Sequence, residues 1–149
     1  MTENQVLTRK GSFTYSFSTS KSAEEVFRLL QDIEQWWSGL HGETIKGASN
    51  KVGDEFTFEA GGGAHYSKQQ LIELTPNKSI VWEVTDSKLT FLQQTNEWTG
   101  TEIWFDLSNE SGHTKVTFTH DGLVPEIECY KGCSSEWPKY LERFQQKLG

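Results

Sequence analysis

Few side chains in this 149-residue sequence carry chemistry. His120 shares strand parity with Val116 and Phe118. If those two face a core, the imidazole faces it too, where its ordinary pKa of ~6.5 suits proton transfer or hydrogen bonding to a ligand. The competing reading is a core histidine satisfied by a backbone carbonyl. His65 follows the run Gly61-Gly62-Gly63-Ala64 and is expected as a solvated loop residue. Cys129 could act as a nucleophile only if a base lowered its thiol pKa, and His120 is the one partner by position. A small buried apolar group is the commoner role of such a thiol. Cys133 lies four residues on. On a helix that spacing separates the Cβ atoms by about 5–6 Å, against the ~3.5–4.5 Å of a disulfide, so both thiols are expected reduced. Tyr66 and Tyr130 offer hydroxyls for orienting a ligand.

These residues fall short of the recognised constellations. Cys129, Cys133, His120 and His65 lack the paired spacing of zinc sites, so no metal is expected. The glycine run lacks the Gly-x-x-x-x-Gly-Lys-Ser/Thr spacing of a phosphate cradle and is expected as a flexible hairpin tip. Neither Gly-x-Ser-x-Gly nor His-Glu-x-x-His occurs. No cofactor is expected, and catalysis is not required. Rings are plentiful instead: nine Phe, six Trp and four Tyr. Each buries roughly 150–250 Å². Trp36, Trp82, Phe91, Trp98, Phe118 and Trp137 are the candidates for a ligand-enclosing wall, although each taken singly reads as ordinary core.

The elements that must position these groups are legible from periodicity. Phe13, Tyr15 and Phe17 alternate with Thr14 and Ser16, as in a half-buried strand. Ser22 and Glu25 form a capping-box signature ahead of Val26, Phe27, Leu30 and Ile33, predicting a broken helix or two short ones from Ala23 to Trp37. Six strands are expected at 43–49, 55–60, 66–74, 79–85, 101–109 and 114–120, parted by turn residues. The segment from Asp86 to Gly100 mixes polar residues with Leu89, Phe91, Leu92 and Trp98 and reads as a lid. Cys133, Trp137, Tyr140, Leu141, Phe144 and Leu148 make one apolar helical stripe. Pro138 fits only a first turn, so the long helix is expected to begin near Ser134 or Ser135, with a separate turn at 126–131.

The chain length fits a single domain spanning 1–149, with an ordered core of about 12–148. The net charge of −7 opposes binding to nucleic acid and to anionic membrane surfaces. No stretch approaches the ~18 apolar residues of a membrane span, and the polar N-terminal decapeptide lacks a secretory pattern, so a cytoplasmic protein is expected. The fold class is α+β. A meander of strands needs its inner face covered, and the C-terminal helix is the long amphipathic element left to cover it.

This order, with several local strings, resembles the helix-grip or START-like (SRPBCC, birch-pollen-allergen-like) superfamily. Within it the sequence is most similar to the family named after the C-terminal domain of the activator of heat-shock protein 90 ATPase. The strings are Ala23-Glu24-Glu25-Val26-Phe27, Trp36-Trp37, Glu97-Trp98-Thr99-Gly100-Thr101 before Ile103-Trp104-Phe105, and Val116 to Leu123 followed by Glu128-Cys129-Tyr130 and Trp137. The resemblance implies a curved antiparallel sheet of six or seven strands around the C-terminal helix, with two short helices after the first strand. It implies an apolar small molecule or lipid held between helix and sheet, touched by the ten residues Trp36, Tyr66, Trp82, Phe91, Trp98, Phe118, His120, Cys129, Tyr130 and Trp137. It also implies two alternatives: a chaperone-associated module with a part in the stress response, and a cyclase- or hydrolase-type enzyme with His120 as base. A monomer or weak dimer is expected.

Overall fold

A computed structural model of the protein describes residues 12–123 and 130–148, without the side chains of residues 130 and 131. The chain runs β1 (Phe13–Thr19), α1 (Ala23–Gln31), a 3-10 turn (Ile33–Gln35), β2 (Thr44–Gly47), β3 (Glu55–Ala60), a 3-10 turn (Gly61–Gly63), β4 (His65–Thr75), β5 (Ser79–Leu89), β6 (Glu102–Glu110), β7 (His113–Asp121) and α2 (Tyr130–Leu148). The strands form one antiparallel sheet in the order β1-β7-β6-β5-β4-β3-β2. Consecutive strands pair as hairpins from β2 to β7, while β1 closes the far edge against β7, with Phe13 opposite His120 and Thr19 opposite Thr114. The segment carrying α1 therefore links one edge of the sheet to the other.

Local chemistry explains these elements. The Ser22 hydroxyl accepts the Glu25 backbone N–H at 3.1 Å and caps α1, a contact worth ~1 kcal/mol. Val26, Phe27 and Leu30 form the buried face of that helix. Register shifts in the β4–β5 ladder, between Lys68 and Gln69 and between Leu71 and Glu73, mark irregularities of the kind that bend and twist a sheet. On the concave face, Phe56, Phe58, Leu71, Trp82, Phe105 and Phe118 meet Trp137, Leu141 and Phe144 of α2 in one core.

Two expectations about α2 change. The helix is continuous from Tyr130, so Gly132 and Pro138 both lie inside it. Proline removes one helical N–H. The stripe from Cys133 to Leu148 is buried on both sides of it, and that packing holds the helix together across the defect. Cys133 is disulfide-bonded, not a reduced thiol. The helical-spacing argument needs both cysteines on one helix, and the described residues place only Cys133 on α2. The other cysteine of the sequence, Cys129, lies outside the described residues.

Candidate functional site

Trp36 and Trp37 end the α1 segment by turning into the core, their rings stacked at 5.4 Å and 13°. The Trp36 indole N–H donates to the Leu30 carbonyl at 2.9 Å, and its ring packs on Trp82 and Phe105. Trp37 stacks on Phe58 at 3.9 Å and 16°. The pair packs between rings of the sheet and Trp137 of α2. Beside Trp37 a cavity of about 260 Å³ opens. Its sheet side is Phe58, Ala60 and His65, with Gly61 and Ala64 of the β3–β4 turn. Its helix side is Gly132, Cys133, Glu136, Trp137 and Tyr140. Trp37 and His41 enter from the segment after α1, and Phe91 and Trp98 from the connection between β5 and β6. The volume is just below the ~300 Å³ lower bound for small-molecule pockets, enough for one or two fused rings.

Two polar atoms interrupt this apolar lining. The Trp98 indole N–H and the His65 Nε2 are buried with no hydrogen-bond partner. The two rings meet edge to face at 4.6 Å and 87°. Burial lowers the His65 pKa to about 4, so its imidazole is neutral near pH 7. His65 is thus not a solvated loop residue. It is the first residue of β4, paired with Ala60, and shares the inward face with Ser67, Gln69 and Leu71.

Two carboxylates border the cavity, Glu136 in its lining and Glu43 bonded to the lining residues His41 and Tyr140. Glu43 accepts the backbone N–H groups of Gly39 at 2.8 Å and His41 at 2.9 Å, and the Tyr140 hydroxyl at 2.7 Å. Burial opposes ionisation of Glu43, but these bonds outweigh it and keep its carboxyl below the usual range. For the Tyr140 phenol, burial and the Glu43 carboxylate both raise the pKa. Glu136 pairs with His41 at 2.7 Å and Lys139 at 2.9 Å. Those partners overcome its partial burial and keep it ionised as well.

His120 lies on the inward face of β7, as its parity with Val116 and Phe118 requires, yet it is not part of the cavity lining. Both ring nitrogens have protein partners. The Thr101 hydroxyl donates to the Trp98 carbonyl at 2.7 Å, so at 2.9 Å the His120 Nε2–H donates to the Thr101 oxygen. The Trp137 indole N–H then donates to His120 Nδ1 at 3.1 Å. Burial, reinforced by His65, lowers its pKa to about 3. The ring is a neutral tautomer fixed between sheet and helix, with no lone pair left for a reacting proton.

Of the ten residues named from the sequence, Phe91, Trp98 and Trp137 line the cavity. Trp36, Trp82 and Phe118 are packed behind it in the core. The Trp82 N–H is used by the Ser49 hydroxyl at 2.8 Å. Tyr66 alternates with His65 and therefore emerges from the opposite face of β4. Cys129 and the side chain of Tyr130 lie outside the described residues. The proposed lid is part strand: β5 continues to Leu89, and only the turns after it carry Phe91, 58% exposed at the mouth, and Trp98, 2% exposed inside. Trp37, His41, Glu136 and Tyr140 were not singled out from the sequence. Among the described residues no cluster of three His, Cys, Asp or Glu could hold a metal ion, and no helix is long and apolar enough to cross a membrane.

Comparison with known proteins adds a family. The sequence model described as Activator of Hsp90 ATPase homolog 1-like protein matches residues 20–149. Among solved structures, the Aha1 dimer from Colwellia psychrerythraea superposes with a TM-score of 0.73 at 22% identity, covering 93% of this chain and 96% of that one. Protein MLL2253 from Mesorhizobium loti gives a TM-score of 0.71 at 20% identity, covering 92% and 96%. Protein CV1439 from Chromobacterium violaceum gives 0.68 at 18%, covering 93% and 96%. At these identities the likeness is one of fold. No curated protein matches significantly.

Proposed function

This chain belongs to the Activator of Hsp90 ATPase homolog 1-like family, and from that premise we propose that it binds an apolar, ring-bearing small molecule between its sheet and C-terminal helix. The observation that carries this reading is the 260 Å³ cavity bounded by Trp37, Phe58, Trp98 and Trp137. An apolar recess open at its mouth leaves ring surface in water, and a guest that covers it gains roughly 25 cal/mol per Å² of apolar surface removed from water. Native mass spectrometry of the purified protein is expected to reveal a carried small molecule. Titration with an aromatic panel is expected to quench indole fluorescence to saturation at one equivalent. A protein that carries nothing and shows only linear quenching rejects the reading.

A second reading, a module that engages heat-shock protein 90, is supported by the family match. Its test is the ATP turnover of the chaperone from the same organism, which rises on addition of this protein if the reading holds and is unchanged if it does not. Weak self-association accompanies this reading, by analogy with the dimeric relative, and is measured by sedimentation.

A further inference from the structure

We propose that the cavity selects an uncharged, planar aromatic guest carrying a single oxygen acceptor, and that the Trp98 indole N–H, with His65 Nε2 beside it, receives that oxygen. The proposal rests on the small-molecule reading above and specifies its ligand class.

The argument starts from satisfaction of buried polar groups. Trp98 is 2% exposed, and an indole N–H can only donate. Three other buried tryptophans use theirs: Trp36 on Leu30, Trp82 on Ser49 and Trp137 on His120. In Trp98 the group is buried and unpartnered in the wall of a cavity, and the same holds for His65 Nε2 on a ring 4.6 Å away. A buried polar atom left without a partner is costly, so two of them on adjacent rings of the cavity lining mark where an oxygen of the guest belongs. A phenol satisfies both, accepting from Trp98 and donating to the His65 nitrogen, while a ketone takes the indole N–H and the other imidazole tautomer.

Shape and charge narrow the class. Trp37 and Trp98 lie nearly parallel, at 21°, and Trp98 and Trp137 at 19°, with centroids 6.3 and 5.9 Å apart, so a flat guest stacks against this set of rings rather than between them. No Lys or Arg lines the cavity among the described residues, and Glu136 stands at its rim held in the ionised form. A carboxylate guest would lose its hydration with no lysine or arginine in the lining to pair with it, Lys139 being taken up by Glu136.

Three probes of one ring size separate these statements: naphthalene, naphthol and naphthoic acid, titrated near neutral pH against the intact protein with the indole N–H resonances as readout. Naphthol is expected to bind about tenfold more tightly than naphthalene, the worth of one desolvated hydrogen bond, and naphthoate more weakly than either. Naphthol, and not naphthalene, is expected to shift the Trp98 N–H downfield. Trp98→Phe is expected to weaken naphthol more than naphthalene, the contact with His65 remaining. Equal affinities for naphthol and naphthalene, or an unmoved Trp98 resonance in the naphthol complex, overturn the oxygen-selection proposal and leave the binding reading intact. Tighter binding of naphthoate overturns the charge argument. Failure of all three probes to bind overturns both readings. The resonance shift in the unsubstituted protein decides the matter even where Trp98→Phe does not fold.

Discussion

The indole N–H of Trp137 and Nδ1 of His120 meet at 3.1 Å, a side-chain bond that joins the C-terminal helix to the last strand inside the core. Trp137 also forms one wall of the cavity, so the bond holds that wall in place from behind. Trp137→Phe keeps most of the ring and deletes the donor, leaving Nδ1 buried without a partner. Equilibrium urea unfolding is expected to show a loss of about 1–3 kcal/mol. An unchanged midpoint would mean that this bond adds nothing net to the fold.

Stability is expected to decline on mild acidification. His65 and His120 are neutral when folded, with pKa values lowered to about 4 and about 3 by burial. In the unfolded chain each takes up a proton near ~6.5. The unfolded state therefore binds more protons once the pH falls below ~6.5. The stability present above that point is lost progressively until the folded values are reached, by up to ~1.4 kcal/mol per pH unit for each ring. The carboxyl groups of Glu43 and Glu136 are lowered and titrate below the histidine range, while that of Asp106, raised by burial and by Glu73, partly opposes the histidines as it takes up its proton. Unfolding midpoints measured between about pH 7 and pH 5 should fall, and His65→Phe should flatten the slope. A flat profile in the unsubstituted protein would contradict the burial of both rings.

Glu43 organises the rim through donors alone, the N–H groups of Gly39, Leu40 and His41 together with the Tyr140 hydroxyl. Glu43→Gln is close in shape, but its amide nitrogen must turn toward either the glycine side or the tyrosine side, where another donor already points. A loss of about 1–3 kcal/mol is expected from urea unfolding, and the Tyr140 phenol should then ionise at lower pH in an ultraviolet titration. If the variant unfolds like the parent, the rim is not organised by this carboxylate.

Gly122 follows β7 with φ +101°, and a Cβ there would stand 2.8 Å from Cγ2 of Thr101, the residue bonded to His120. Gly112 has φ +83° with open space around it. Alanine at Gly112 incurs backbone strain alone, of order 1–2 kcal/mol, while alanine at Gly122 adds displacement of Thr101. The second variant is expected to be the less stable of the two by thermal unfolding. Equal melting temperatures would show that Thr101 yields freely.

Most of the fold was legible because its signals are local. Alternation at 13–17, the Ser22 cap and the stripe from Cys133 to Leu148 each appear within one element and name their own buried face. The cavity was harder to see because its walls come from separate places in the chain. His65 was misplaced through a one-residue error: a strand begun at Tyr66 leaves it in the loop, whereas the tight turn at Gly61–Gly63 starts β4 at His65. The inward row His65, Ser67 and Gln69 is polar, so the rule that apolar residues mark the inner face could not find it. Trp137 was read as both packing and ligand wall and Tyr140 as packing alone, and both line the cavity. Their place in that lining depends on the Trp36–Trp37 pair packed against Trp137. No spacing in the sequence encodes that contact.

The pairing of β1 with β7 sets a delay on biogenesis. β1 leaves the ribosome about a hundred residues ahead of its hydrogen-bonding partner, an interval of roughly 5–20 s at ordinary translation speeds. Throughout it, Phe13, Tyr15 and Phe17 belong to a ribbon with nothing to dock on. The hairpins from β2 onward can pair as they emerge, but the sheet cannot close at its β1 edge until β7 appears, which makes that window the time when a holdase would matter most.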